Sequence, residues 1–386
     1  MDGSTWNDEC QPATHMGWFP LLRVSLIEHR HFLAYCLFYL LAAWALLTLS
    51  TPDAASLLAR NIGDLALAIF APIAATLTLW FAIQFAVHLV KYRRFDLSRL
   101  AAEVRASDLL RPERIVRVLP VLASTPFVLG TFLSVKVLIG HLQPFSYDTP
   151  IIRLTETLNG GKPFWTYFET LFRHPWTVML LNDTYYLWFP LLCATFVWRM
   201  FSFRDPHLRL QFLLTVTACW GLVGSFAAIL FPSAGPAFLP HLLNASTPFD
   251  GLLAHLRNLQ NAGYDLTALQ VQDVLWKLYV ARSDMGGSGI SAMPSLHVTM
   301  AAVLAIHGWR LGLLAGLAYS IFALMIFLGS FLLAFHYAMD GVAGALAATA
   351  IWIAAGRLTD LVHPRRTTSA ASRFAIGLKR PAMTRI

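Results

Sequence analysis

Apolar runs of about 20 residues, the length a helix needs to cross a bilayer, recur along this chain with polar connections between them. They fall at about His31–Ser50, Leu65–Val90, Ile115–Gly140, Trp176–Met200, Leu210–Phe231, Ser295–Trp309, Leu313–Leu333 and Tyr337–Gly356. The pattern predicts an all-α polytopic membrane protein with about eight transmembrane helices, the sixth of them short. Proline and glycine break the fifth run at Phe231-Pro-Ser-Ala-Gly-Pro-Ala237 and open a long loop, 232–293. Within that loop Leu266, Leu269, Val274, Leu275 and Leu278 keep a helical period behind Asp265, an available N-cap. This reads as an amphipathic helix lying along the membrane and roofing a site. Lys91–Arg114 mixes leucines with cations in the manner of another interfacial helix.

The chain therefore divides into an N-terminal segment (1–30), N-terminal transmembrane helices with interfacial segments (31–200), a C-terminal membrane region (201–358) carrying the lid loop 232–293, and a basic tail (359–386). With 57% of 386 residues hydrophobic and 13% charged, a soluble multidomain chain is excluded. The formal charge of +8 sits mainly in connections beside the spans, which points to topology and anionic lipid and away from nucleic acid. Lys91, Arg93, Arg94, Arg99, Arg105, Arg111 and Arg114 follow the second run; Arg204 and Arg209 follow the fourth; Arg365, Arg366, Arg373, Lys379, Arg380 and Arg385 follow the eighth. With eight spans these share one side, cytoplasmic by the positive-inside rule, together with both termini. The loops His141–Pro175 and Pro232–Met293 then face the periplasm or exterior, and the Ala- and Leu-rich composition leans toward a bacterial inner membrane. Asp2, Asp8 and Glu9 open the chain without the cationic and apolar order of a signal peptide, so none is expected. Cys10, Cys36, Cys193 and Cys219 are scattered and show neither a metal spacing nor a disulfide framework.

Two stretches on the outer side carry chemistry. Ser295 follows Pro294 and precedes an apolar helix, so it stands at an N-cap, where free N–H groups and the helix dipole make an anion site. Gly286-Gly-Ser-Gly289 upstream allows the backbone to approach a ligand closely, and His297 lies two residues into the helix. His336 and Asp340 are four apart at the start of the last span and share one face, so the carboxylate can accept from one ring nitrogen and fix the tautomer. Two imidazoles and a carboxylate around an anion site suit phosphoryl transfer through a histidine nucleophile; they also match a metal triad or structural histidines. Lys136, near the outer end of its span, either snorkels to headgroups or contacts an anionic group. Asp183, within Asn182-Asp183 and ahead of Tyr185-Tyr186, is a second-tier site candidate or a clamp between helices.

Met293-Pro-Ser-Leu-His297 and His336-Tyr-Ala-Met-Asp340, followed by Gly344, resemble the second and third signature motifs of the type 2 phosphatidic acid phosphatase superfamily. With Phe231-Pro-Ser-Ala-Gly-Pro236 they are similar to the branch containing the fungal inositol phosphorylceramide synthases, the aureobasidin targets. The resemblance covers about the last third of the chain. It implies a helical core in the C-terminal half and a metal-independent enzyme without cofactor. His336 would be the nucleophile, Asp340 would orient it, and His297 would protonate the leaving alcohol and later activate the acceptor. Ser295 and the amide of Leu296 would hold phosphate oxygens of a lipid phosphate or phospholipid. The chain departs from the phosphatase pattern in having Ser330 six residues before His336, where those members carry arginine, and in lacking a Lys-x6-Arg-Pro motif. The phosphate thus lacks an assigned cation. Arg282, nearest the Gly-rich run, comes first among the candidates, followed by Lys277, Lys162, Arg153 and Lys136. Transfer of an inositol-phosphate type headgroup, hydrolysis of phosphatidic acid or polyprenyl diphosphate, and lipid transport without chemistry all remain open at this level.

Overall fold

The computed structural model describes residues 17–68, 78, 81–82, 85–93, 96–100, 112–286 and 288–362. The chain begins with α1 (Trp18–Glu28), α2 (Arg30–Ser50), α3 (Ala54–Ala68) and α4 (Pro112–Leu142). A connection containing α5 (Asp148–Leu158) and a 3-10 turn at Phe164–Phe168 leads to α6 (Pro175–Tyr186) and α7 (Trp188–Met200). α8 (Pro206–Gly221) continues through a π-helical stretch, Leu222–Ala227, into a last turn at Ala228–Leu230. α9 (Asp250–Asn261) and α10 (Thr267–Val280) occupy the long loop; α11 (Leu296–Leu311), α12 (Leu313–Leu332) and α13 (Ala338–Asp360) follow.

Among the described residues every regular element is helical. Five helices are long and apolar enough to cross a membrane: Arg30–Ser50, Glu113–Leu142, Pro206–Leu230, Leu313–Leu332 and Ala338–Asp360. The all-α membrane architecture expected from the pattern is present, with local differences. The run Trp176–Met200 is two helices meeting at Leu187, because Pro190 has no N–H to bond the Tyr186 carbonyl one turn back. The run at Ser295–Trp309 forms α11, whose 16 residues span only about 24 Å. The expected span Leu65–Val90 and the interfacial helix Lys91–Arg114 lie largely outside the described residues.

Local chemistry explains several boundaries. The Asp205 side chain accepts from Leu208 N at 2.9 Å and Pro206 occupies the first turn, starting α8. Ser295 caps α11 by accepting from Val298 N, and Gly312 at φ 146° ends it. The lid helix departs from expectation: α10 begins at Thr267, its Ala268 N–H donates to the side-chain oxygen of Asn182 at 3.0 Å, and Asp265 instead accepts from Gln270. A cap supplied by another helix thus replaces the local one.

Among the described residues two large apolar cores result, beside a small cluster of Leu47, Ala54, Leu57 and Leu58. One runs through the bundle, with Phe32, Val121, Phe132, Phe212, Leu213, Val216 and Val303 buried. Lipid tails are as apolar as these side chains, so close packing holds this core, not expulsion from water. The other joins α5, α9 and α10 to the ends of α12 and α13 through Leu252, Leu256, Leu266, Leu333 and Tyr337. Where such loop helices would otherwise face water, burying each leucine contributes about 2 kcal/mol.

Candidate active site

Three irregular segments meet at one end of the bundle. Ala292 N–H donates to the Ser233 carbonyl at 2.8 Å, and Ala237 N–H to the Ala334 carbonyl at 2.9 Å. Gly235, at φ 95°, lies so close to the Phe335 carbonyl that a β-carbon would collide with it, which is why glycine stands between Ser233 and Pro236. The carboxylate of Asp148 completes the join. Buried at the start of α5, it accepts from Ser233 Oγ (3.1 Å), Ala234 N (3.0 Å), Gly235 N (2.9 Å) and Tyr337 Oη (2.8 Å). The turn Pro232–Pro236 therefore holds an anion already, its own chain's carboxylate, and Asp148 ties it to the residue beside His336. In sequence Asp148 is one position within the loop His141–Pro175, and nothing in its spacing marks the turn 85 residues away.

His336 is 5% exposed. Its Nδ1 lies 2.8 Å from the Ala292 carbonyl and 3.6 Å from Asp340 Oδ2. The proton therefore belongs on Nδ1, donated to Ala292, which leaves Nε2 as the free nitrogen. The direct hydrogen bond anticipated from Asp340 is taken by this backbone carbonyl, because Asp340 Oδ2 accepts the Tyr337 N–H at 2.8 Å at the start of α13. Asp340 Oδ1 is buried without a hydrogen-bond partner, and the Asp340 carbonyl receives Ser295 N–H at 3.0 Å, which locks the starts of α11 and α13 together. The rings of His297 and His336 are 5.7 Å apart. His297 stacks on Tyr185 at 4.7 Å and meets the edge of Trp188 at 4.7 Å. These two aromatics set the orientation of His297 and were not singled out by sequence reading; only the Tyr185-Tyr186 pair beside Asp183 hinted at them.

Both histidines line a cavity of about 370 Å³. Its walls come from α4 (Leu129, Phe132, Leu133), α6 and α7 (Tyr185, Tyr186, Trp188), α10 (Val271, Leu275) and Leu296. Lys136 is the one lysine or arginine among its lining residues, and the hydroxyls of Tyr185 and Tyr186 are buried there without partners. The other candidates lie elsewhere. Ser295 is buried, its hydroxyl used as the α11 cap, so the helix start offers the Leu296 amide and not the serine side chain. Arg282 is exposed, at φ 49°, and is not among the lining residues. Of the two, Lys136 borders the cavity and Arg282 does not. The Gly-rich run packs Gly289 against the Lys136 backbone at the cavity wall; a β-carbon at Gly289 would strike the Lys136 carbonyl. Lys277, Lys162 and Arg153 are exposed and off the cavity, and exposed Asp183 accepts from Asn182 at 3.0 Å. Asn182 is the clamp between helices. Ser330 is fully buried, its carbonyl accepting His336 N–H at 2.9 Å, so an arginine side chain has no place there. Among the described residues no group of three or more His, Cys, Asp or Glu is gathered closely enough to hold a metal.

Comparison with curated proteins and with solved structures gives no match. A family model described as the PAP2 superfamily matches residues 150–354, a stretch that runs from α5 through both histidines to the last helix. The chain belongs to the PAP2 superfamily, whose members are phosphoesterases acting on lipid phosphates.

Proposed function

We propose that this protein is a lipid phosphotransferase that moves a phospho-headgroup between lipids by double displacement on His336. The observation that carries the reading is His336 itself, with Nδ1 committed to the Ala292 carbonyl and its ring on the wall of an apolar cavity opposite His297. In the first step Nε2 attacks phosphorus, the bond from phosphorus to the leaving alcohol breaks, and His297 gives that alcohol its proton. In the second, the acceptor hydroxyl attacks the phosphohistidine, its proton goes to His297, and the bond from phosphorus to Nε2 breaks. Lys136, the tyrosine hydroxyls and the Leu296 amide are the groups available to phosphate oxygens, and Asp340 steadies the charge that His336 gains. Transfer to an alcohol is favoured by the apolar, aromatic lining, which suits a lipid acceptor, and by the likeness of the motifs to the inositol phosphorylceramide synthase branch. The distribution of lysine and arginine favours a site on the extracytoplasmic face, and the Ala- and Leu-rich composition leans toward a bacterial inner membrane.

Hydrolysis is the second reading, and one observation favours it. A separate pocket of about 20 Å³, walled by Glu156, Phe164, Trp165 and Tyr337, also reaches His336. That volume holds about one water. The deciding experiment offers purified protein phosphatidic acid, phosphatidylinositol or undecaprenyl diphosphate, with and without ceramide or diacylglycerol. A new phospholipid formed without free phosphate, and lost in His336→Ala, supports transfer. Free phosphate dependent on His336 selects hydrolysis, and neither product from folded protein overturns both.

A further inference from the structure

At the opposite end of the bundle, roughly 35 Å from the Pro232 turn by the length of the continuous helical run Pro206–Leu230, a second charged cluster lies where α1, α4, α7 and α8 converge. Glu28 is its acid. Glu28 Oε2 pairs with Arg117 Nη2 at 2.9 Å and Oε1 with Arg209 Nη1 at 3.3 Å. Arg209, fully buried, also donates Nε to the Met200 carbonyl at 2.9 Å and reaches His29 Nε2 at 3.0 Å. Phe203, in the turn between α7 and α8, has the guanidinium groups of Arg117 and Arg209 each 4.5 Å from its ring. Arg199, in the last turn of α7, is 3% exposed; its guanidinium lies 5.3 Å from the Trp198 ring, and its Nη1 makes a long contact, 3.4 Å, to Ser202 Oγ.

Donors are in surplus here. Arg199 Nε and Nη2, Arg209 Nη2 and Arg117 Nε are buried without any hydrogen-bond partner. Among the described residues, Glu28 is the one carboxylate that an ion pair joins to these guanidinium groups. The nearby Asp205 is exposed, caps α8 through Leu208 and makes no ion pair with Arg199. Removing a cation from water costs several kcal/mol unless an anion and a full set of hydrogen bonds replace the water, and each orphaned donor adds to that cost. Guanidinium forks match the oxygens of phosphate in particular. The cluster also sits at the ends of α1 and α7 and near the starts of α4 and α8.

We propose that this cluster seats a phosphate-type oxyanion, either the phosphodiester of an anionic lipid headgroup or free inorganic phosphate. Arg199 and Arg209 hold it, Trp198 lying against the first guanidinium and Phe203 against the second. The seat is separate from the histidine cavity, so it acts on stability and not on the chemical step.

The test is thermal unfolding of the full-length protein in a neutral detergent, read by tryptophan fluorescence at matched ionic strength. The additions are sodium phosphate, short-chain phosphatidylglycerol or short-chain phosphatidylcholine. Wild type and His336→Ala are expected to gain about 3–5 °C from phosphatidylglycerol or phosphate at concentrations well above Kd, while Arg199→Gln gains nothing. Response to phosphate alone makes free phosphate the occupant, and response to phosphatidylglycerol alone makes it the headgroup. In delipidated protein Arg199→Gln should match or exceed wild type, because it removes an uncompensated charge; with ligand the order reverses. An equal gain in Arg199→Gln, no gain in wild type, or a loss in Arg199→Gln that is the same in every condition overturns the proposal.

Discussion

At the end of the bundle that carries His297 and His336, the charged groups near the site include two buried carboxylates, Asp148 and Asp340, Glu156 at the smaller pocket, and Lys136. At the other end, among the described residues, they include Arg117, Arg199, Arg209 and the glutamate that pairs with two of them, Glu28. Asp148 is stable without a cation because two backbone N–H groups and two hydroxyls surround it, and hydrogen bonds to an ionised group are worth about 1.5–3 kcal/mol each. The arginines have no comparable set of acceptors. One end therefore builds its geometry from backbone groups and leaves a ring nitrogen of His336 uncommitted, while the other holds unpartnered donors. The contrast suggests that phosphate is recognised in two ways on one chain: sparingly where it must leave, and generously where it can stay.

The largest effect that would break this contrast is at His336. Replacing it with alanine should lower turnover by about 10³-fold or more with thermal stability within a few degrees of wild type. Retained activity would make the histidine end structural and remove the distinction. Next is Asp148→Asn, which keeps the shape but loses the charge that four groups are turned toward. We expect about 3 kcal/mol of lost stability and a fall in kcat larger than any change in KM, since the Pro232–Pro236 turn and Tyr337 both shift against His336. A change in KM alone would argue against a positioning role.

At the arginine end the corresponding probe is pH. Burial and the Arg209 guanidinium push His29 down to about 4, and neighbouring Glu28 offsets this in part. Between about pH 6.5 and 4 the unfolded chain takes up a proton at His29 that the folded protein does not. Stability is therefore complete above about 6.5 and falls as pH drops through this window, by up to about 3 kcal/mol. Glu28 works in the same direction at lower pH: burial alone would raise its pKa, but the hydrogen bond and charge of Arg117 and the charge of Arg209 lower it overall. Unfolding temperatures of wild type and His29→Gln across pH 4–7 should diverge, the variant losing most of the slope. Parallel curves would show that another group, not His29, carries it.

How much of this was legible in sequence depends on the range of the interaction. Apolar periodicity marked α2, α4, α8, α12 and α13, and helix spacing placed His336 and Asp340 on one face. The leucine row Leu252, Leu256 and Leu259 carried the α9 signal as well, though the long-loop reading passed over it. What sequence could not display were contacts that pair distant segments: Asp148 with the turn at 233–235, the Ala292 carbonyl with His336, Tyr185 and Trp188 with His297. Arg209 misled for a related reason. Its position after a span reads as a surface cation, but the structure buries it against Glu28, 181 residues away. Arg282 misled because proximity to the Gly-rich run in sequence is not proximity to the cavity. Lys136, one turn from its helix end, faces inward because the backbone of Gly289 covers that side of α4.

Lys136 gives the next smaller effect. With Lys136→Gln the cavity keeps its shape but loses its one lysine, and catalysis by His336 persists. A rise in KM of about 10-fold with kcat nearly unchanged is expected for a group that binds phosphate equally in ground and transition states. A fall in kcat instead would move Lys136 from binding into stabilising the transition state, and would make the histidine end less sparing than it appears beside the arginines.

The smallest expected effect concerns the lid. Asn182 reaches from α6 to receive the Ala268 N–H at 3.0 Å, doing for α10 what a local cap does for other helices. Asn182→Ala removes that acceptor, and losing a cap typically costs about 1 kcal/mol. Because α10 contributes Val271 and Leu275 to the cavity wall, the cost should appear as faster amide exchange in α10 and a modest rise in KM for lipid substrate, with global unfolding nearly unchanged. Were the cap only part of the overall fold, exchange would rise equally in α10 and in α8. A rise confined to α10 would show that the histidine end also differs from the arginine end in having a cover that opens by itself, which is what a site that admits and releases lipids requires.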